Sequence, residues 1–146
     1  MAVRPSFSRF GTIVHKIMTN GEFSGAPKGI VLIVEDEPLL RMLALDFLED
    51  AGFAAIEAAN ADEAIRILEA RPDIHVVFTD IDMPGSQDGL KLAAAVRDRW
   101  PPIEIIVTSG QNFPSPDRLP ERARFFPKPY DTSQIVRTIE EFVGRG

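Results

Sequence analysis

The stretch VVFTDIDMPG, residues 76–85, decides the fold of this chain, because a run of strand-forming residues ends there in two carboxylates, a proline and a glycine. A continuous apolar run bounded by turn residues is typical of a strand that is covered on both faces. Asp80 stands at the tip of that run. Burying a lone carboxylate costs free energy unless a partner compensates its charge. We therefore expect the rest of the sequence to supply a partner for Asp80.

Short strand-like runs alternate with helical stretches from Gly29 onward, which is the pattern of an α/β fold with a parallel sheet. The predicted strands are GIVLIV (29–34), FAAIEA (53–58), HVVFT (75–79), IEIIVT (103–108) and ARFF (123–126), the second of them at an edge. The predicted helices are EPLLRMLALDFLEDAG (37–52), ADEAIRILEA (61–70), DGLKLAAAVRDRW (88–100) and SQIVRTIEEFV (133–143). In the first helix, Leu39, Leu43 and Phe47 are expected to form the buried face, because their spacing follows the helical period.

The segment between the last two strands is irregular. Its prolines at 114, 116 and 120 cannot all lie inside one regular helix. We expect at most two helical turns there, beginning near Pro116, with a loop on either side.

The composition excludes several classes of protein. The chain has 146 residues, 45% of them hydrophobic and 26% charged, which is ordinary for one soluble domain. It has no cysteine, so a disulfide framework, a thiolate metal site and a thiol nucleophile are excluded. Its apolar runs are far shorter than the roughly 18 residues that span a bilayer, so no membrane association is predicted.

The formal charge of −6 is unevenly distributed, because Met1–Gly21 carries three basic residues and no acid. The remainder is therefore more acidic than the whole, and an acidic surface repels the phosphate backbone, so no direct binding of nucleic acid is expected. The tract TNGEFSGAPKG resembles a linker in composition. Residues 1–27 are predicted to form a flexible N-terminal extension, and residues 28–146 the folded domain.

Polar side chains lie where the predicted strands end. They are Glu35 and Asp36 after the first strand, Asp80 after the third, Thr108 and Ser109 after the fourth, and Lys128 after the fifth. Parallel strands place their carboxyl ends along one edge of a sheet, so these groups are expected to converge. Carboxylates about 4 Å apart repel by roughly 1–4 kcal/mol, and a divalent cation removes that penalty. Oxygen ligands suit Mg²⁺, and an ionised aspartate beside a metal is a plausible nucleophile toward phosphorus.

The chain resembles the receiver domain of two-component response regulators. Five motifs occur in the same order between residues 28 and 143: VLIVEDEPLLR, VVFTDIDMPG, DGL, IIVTSG and FFPKPY. The resemblance implies a flavodoxin-like, doubly wound, five-stranded parallel sheet of order 2-1-3-4-5, the (βα)5 receiver fold. It also implies a cytoplasmic phosphoacceptor of a phosphorelay rather than an enzyme, with catalysis limited to its own phosphotransfer and dephosphorylation.

The same resemblance implies roles for individual residues. Asp80 corresponds to the phosphoacceptor. The implied Mg²⁺ ligands are Glu35, Asp36, Asp80 and the backbone carbonyl of Asp82. Thr108 is similar to the switch hydroxyl, Lys128 to the lysine of such sites and Phe125 to the aromatic switch residue. The implied partners are a sensor histidine kinase or a histidine phosphotransfer protein as donor, and a downstream protein target.

Other interpretations stay open from the sequence. Asp80 and Asp82 also resemble the nucleophile motif of haloacid-dehalogenase-like phosphohydrolases, which need a further acidic pair downstream. The late acids Asp131, Glu140 and Glu141 belong to the final helix or its cap. A Toprim nuclease would use Glu35 with the same aspartates but would not explain Lys128 or Thr108. A degenerate receiver that only binds a partner is a third possibility, and Phe125 is alternatively an ordinary core residue.

Overall fold

The computed structural model describes residues 25–83 and 88–145. For residue 145 it describes the backbone alone. Most of the predicted N-terminal extension and the loop 84–87 therefore lie outside the described residues. The strands are β1 (Ile30–Val34), β2 (Ala54–Ala58), β3 (Val76–Asp80), β4 (Glu104–Ser109) and β5 (Arg124–Pro127). The helices are α1 (Pro38–Asp50), α2 (Ala61–Ala70), α3 (Gly89–Arg99), α4 (Thr132–Arg145) and a 3-10 helix (Pro116–Arg118).

The strands form one parallel sheet in the order β2-β1-β3-β4-β5, which confirms the predicted order and the edge position of β2. Every residue of β3 is buried. This burial explains its unbroken apolar run, because helices cover both of its faces. The carboxyl ends of β1, β3, β4 and β5 lie along one edge of the sheet, as the parallel pairing requires.

Two hydrophobic cores lie on opposite faces of the sheet. One contains Ala64 and Leu68 of α2 and Leu92 and Val96 of α3. The other contains Leu45 of α1 and buried residues of α4. Each core is completed by alternate side chains of the strands, since successive residues of a strand point to opposite faces.

The predicted buried face of α1 is wrong for Leu39 and Leu43, whereas Phe47 is half-buried and packs against the core. Leu39 is 61% exposed and Leu43 52% exposed. The side chains that α1 buries are Ala44, Leu45 and Leu48, which lie further round the helix. The sequence LLRMLALDFL is apolar over most of the helix circumference, so the helical period alone does not indicate which stripe faces the sheet.

The segment between β4 and β5 contains a single 3-10 turn, Pro116–Arg118, within the predicted limit of two helical turns. Its far end is attached to α3 through Arg97, whose Nε donates to the carbonyl of Glu121 at 2.9 Å. Nη1 of Arg97 donates to the carbonyl oxygens of Pro101 at 2.7 Å and Ile103 at 2.9 Å. Arg97 therefore fixes the segment close to the point where it enters β5.

Candidate functional site

Three carboxylates meet at the carboxyl edge of the sheet. One oxygen from each of Glu35, Asp36 and Asp80 lies within 4.8 Å of the other two. Glu35 and Asp36 follow β1 directly, and Asp80 is the last residue of β3. Asp80 is only 4% exposed and Glu35 only 7%. The acid cluster (Glu35, Asp36 and Asp80) is thus a concentration of negative charge at a partly desolvated position.

Lys128 is the cation that faces this cluster. Its Nζ lies 2.8 Å from Oδ2 of Asp80 and 3.4 Å from Oε1 of Glu35. Its backbone N–H donates to the carbonyl of Ser109 at 2.9 Å, which joins the end of β5 to the end of β4. The peptide bond between Lys128 and Pro129 is cis. The structure therefore supplies the partner that the burial of Asp80 requires.

One ammonium group does not neutralise the cluster. The pKa of Glu35 is raised to about 7, mainly by burial and also by the charge of Asp80, although the hydrogen bond from the Glu37 N–H and the attraction of Lys128 lower it. Burial would lower the pKa of Lys128, but its hydrogen bond and ion pair with Asp80 outweigh burial and raise it. Three carboxylates that face one ammonium group leave an excess of negative charge when all three are ionised. This donor set of carboxylate oxygens fits a hard divalent cation such as Mg²⁺.

The side chain of Asp82 does not join the acid cluster but holds the segment after β4. It accepts hydrogen bonds from the Ser109 hydroxyl at 2.7 Å, the Gly110 N–H at 3.0 Å, the Gln111 N–H at 3.3 Å and the Asn112 side-chain amide at 2.7 Å. Burial would raise the pKa of Asp82, but these bonds together hold it below its usual value. This contact was not predicted from the sequence, in which Asp82 was expected to offer its backbone carbonyl to a metal or to belong to a phosphohydrolase motif. The turn-forming residues SGQN after the fourth strand were the only available signal.

Thr108 lies on β4, next to Asp80 on β3, and Phe125 lies on the neighbouring strand β5. Thr108 is 2% exposed and is the register partner of Asp80, and its carbonyl accepts from the Ile81 N–H at 3.0 Å. Phe125 is the register partner of Val107 on β5. Its half-buried ring packs edge-on against Phe113, with ring centroids 5.6 Å apart. The structure therefore brings the two predicted switch residues to adjacent strands.

Gly89 explains the DGL motif. It is the first residue of α3, and a Cβ atom at this position would lie 2.2 Å from the carbonyl oxygen of Asp80 and 2.6 Å from Cα of Ile81. The helix begins directly against the backbone at the end of β3, which only glycine permits. Asp88 caps the helix by accepting from the Lys91 N–H at 2.9 Å.

The phosphohydrolase interpretation is not favoured, because among the residues that the structure describes none of the late acids joins the cluster of Glu35, Asp36 and Asp80. Glu140, one of the late acids, pairs with Lys28 at 2.7 Å. Lys28 precedes β1, so this pair lies at the opposite edge of the sheet from Asp80.

The helices within residues 25–83 and 88–145 are all too short or too polar to span a bilayer.

Known proteins share this sequence and fold. The family model described as the response regulator receiver domain matches residues 31–140. The sensor kinase CckA of Brucella abortus is 35% identical over an alignment of 117 residues that covers 77% of this chain and 12% of that protein. The transcriptional regulatory protein PdtaR of Mycobacterium tuberculosis is 33% identical over an alignment of 124 residues that covers 79% of this chain and 57% of that protein.

The solved structures agree with the sequence relatives. The crystal structure of the receiver domain from the hybrid histidine kinase CckA superimposes with a TM-score of 0.67 at 28% identity, covering 79% of this chain and 99% of that one. The match spans less than two thirds of either curated relative, and the region in common is the receiver region. The family match, the strand order and these relatives lead to one conclusion: the chain belongs to the response regulator receiver domains of two-component systems.

Proposed function

We propose that Asp80 accepts a phosphoryl group from a phosphohistidine of a sensor histidine kinase or a histidine phosphotransfer protein. The observation that carries this proposal is the position of the Asp80 carboxylate, buried and held 2.8 Å from Lys128 next to two further carboxylates. A carboxylate oxygen of Asp80 attacks phosphorus, and the bond from phosphorus to the histidine nitrogen breaks. The imidazole keeps the electron pair of that bond, and an acyl phosphate forms on Asp80.

Mg²⁺ would be held by the acid cluster and the backbone carbonyl of Asp82, and when bound it would neutralise charge on the phosphoryl oxygens. The geometry supports this assignment, because three carboxylates face a single ammonium group and a divalent cation would supply the positive charge that Lys128 alone does not. Lys128 keeps the attacking carboxylate in place before transfer and pairs with the phosphoryl oxygens after it.

Thr108 and Phe125 form the proposed switch. A phosphoryl group brings about −1.5 to −2 charges and three acceptor oxygens to a position beside Thr108. Movement of Thr108 toward those oxygens would vacate space next to β5, into which the half-buried Phe125 ring can turn. The changed surface would then be recognised by a downstream protein. Membership of the two-component family supports a histidine kinase as the donor. The switch would be supported if adding beryllofluoride changed amide hydrogen exchange mainly in residues 108–130.

The acceptor assignment is tested by intact mass after incubation with Mg²⁺ and acetyl phosphate. We expect one base-labile phosphoryl group on the wild type and none on Asp80→Asn. Asp73→Asn is the matched control, because Asp73 pairs with Arg71 before β3, at the other edge of the sheet. Labelling of Asp80→Asn at the wild-type level would exclude Asp80 as the acceptor.

A further inference from the structure

The Asp82 carboxylate connects the loop after β3 to the segment after β4. Its Oδ2 accepts from the Ser109 hydroxyl and from the N–H groups of Gly110 and Gln111, and its Oδ1 accepts from the amide of Asn112. We propose that Asp82 is a positioning residue that holds residues 109–112 in the resting conformation and thereby sets how readily phosphorylation of Asp80 switches the domain. The proposal deepens the proposed function and rests on it for its second half.

Ser109 extends this contact into a closed turn. Its hydroxyl oxygen donates its proton to Asp82 and accepts from the Asn112 N–H at 2.9 Å and the Gln111 N–H at 3.2 Å. Asn112 is therefore held twice, by its backbone through Ser109 and by its side chain through Asp82. We call Asp82, Ser109 and Asn112 the Asp82 latch. These bonds determine the conformation of residues 109–112, where the segment leaves the sheet.

The latch is joined to the acceptor on both sides. The backbone N–H of Asp82 donates to Oδ1 of Asp80 at 2.8 Å. The carbonyl of Ser109 accepts from the backbone N–H of Lys128, whose side chain bonds Asp80. Asp80 thus contacts the latch directly through the Asp82 N–H, and indirectly through one intervening residue, Lys128.

A phosphoryl group on Asp80 competes with Asp82 for the same donors. Its oxygens are strong acceptors beside the N–H and hydroxyl groups that follow Thr108, and the carboxylate of Asp82 already holds those groups. Residues 109–112 must release Asp82 before they can approach the phosphoryl group. Because Arg97 fixes the other end of the segment at Glu121, the movement is confined to the residues between the latch and Glu121.

The test uses Ser109→Ala and Asn112→Ala, since the Asp82 backbone lies in the proposed Mg²⁺ site. Gln111→Ala is the matched control, because the contact of Gln111 with Asp82 is made by its backbone N–H. Without any phosphoryl mimic, amide exchange at Gly110–Asn112 should become about fivefold faster in Asn112→Ala, which loses one hydrogen bond to Asp82. It should become at least that much faster in Ser109→Ala, because the Ser109 hydroxyl takes part in three hydrogen bonds. The control should exchange at the wild-type rate.

The second measurement is the affinity for beryllofluoride in the presence of Mg²⁺. It should tighten by about the same factor, roughly fivefold, in the two latch variants and stay unchanged in Gln111→Ala. Unchanged exchange in both latch variants would overturn the latch itself, whatever the function of Asp80. Faster exchange with unchanged beryllofluoride affinity would overturn the coupling to the switch. Because the exchange is measured without the mimic, a failure of the proposed function remains distinguishable from a failure of the latch.

Discussion

The Nζ atom of Lys128 lies 2.8 Å from Oδ2 of Asp80, although 48 positions separate the two residues in the sequence. Lys128 reaches the cluster because β5 pairs with β4 and β4 pairs with β3. This pairing brings Lys128, just after β5, to the same edge of the sheet as Asp80 at the end of β3. Each partner is largely desolvated, with 23% of the Lys128 side chain and 4% of the Asp80 side chain exposed. The ion pair is therefore a structural requirement of the resting protein as well as a part of the proposed chemistry.

Replacing Lys128 with Met should destabilise the protein without Mg²⁺ by about 1–3 kcal/mol, because it leaves buried carboxylates without their cation. Chemical denaturation in EDTA measures the change. Lys28→Met is the control, since the pair of Lys28 with Glu140 is about half exposed and such pairs contribute about 1 kcal/mol or less. Equal losses in the two variants would show that Lys128 does not compensate the cluster.

Replacing Asp36 with Asn should change function and stability in opposite directions. Removing one of three neighbouring carboxylates relieves repulsion, so the Mg²⁺-free protein should gain about 1 kcal/mol. The affinity for Mg²⁺, measured by calorimetry, should fall about tenfold or more because a charged ligand is lost. Glu37→Gln, which removes an exposed carboxylate outside the cluster, should leave both quantities near the wild type. A loss of stability in Asp36→Asn would contradict the repulsion that we infer.

Stability without Mg²⁺ should fall as pH rises from about 5 to 8. Glu35 has a pKa of about 7 in the folded protein against 4.5 ordinarily, so folding favours its protonated form. Protonated Glu35 contributes its full share to the free energy of unfolding below the pKa that it has in the unfolded chain. That share, about 1–3 kcal/mol, is lost as pH rises through the pKa of Glu35 in the folded protein. Denaturation in EDTA at several pH values checks this.

Glu35→Gln is the comparison that isolates this effect, because every other titratable group is shared with the wild type. The variant should show a flatter pH dependence, and the two curves should diverge between pH 5 and 8. In the same window, Mg²⁺ affinity of the wild type should rise with pH, since the cation binds ionised Glu35. Parallel stability curves would show that Glu35 titrates as it does in an unfolded chain.

Gly89→Ala should destabilise the protein by about 1–3 kcal/mol or more, because the added methyl group would overlap the carbonyl oxygen of Asp80. Gly144→Ala is the control, since a Cβ at that helical position meets no atom within 4 Å. The control should be neutral or slightly stabilised. Thermal unfolding compares the two, and similar melting temperatures would show that α3 can shift away from β3 at little cost.

The sequence by itself determined the order of the elements and the edge at which the polar residues meet. Apolar runs of strand length, separated by helical patterns, predict a parallel sheet. In a parallel sheet the carboxyl ends of all strands lie along the same edge. Glu35, Asp80 and Lys128 could be assigned to that edge because each lies at the end of a predicted strand or within two residues after it. The proline content of the segment before β5 likewise limited its helix to a short turn.

Only the tertiary structure decided which contacts form within that frame. Leu39 and Leu43 were expected to be buried, and the packing of α1 instead buries Ala44, Leu45 and Leu48, because a helix that is apolar nearly all round is oriented by its fit against the sheet. Whether the Asp82 side chain joins the acid cluster or holds residues 109–112 likewise depends on distances between two loops. Local pattern determines where a strand or helix begins and ends, whereas the direction of a side chain between elements depends on how those elements pack against each other.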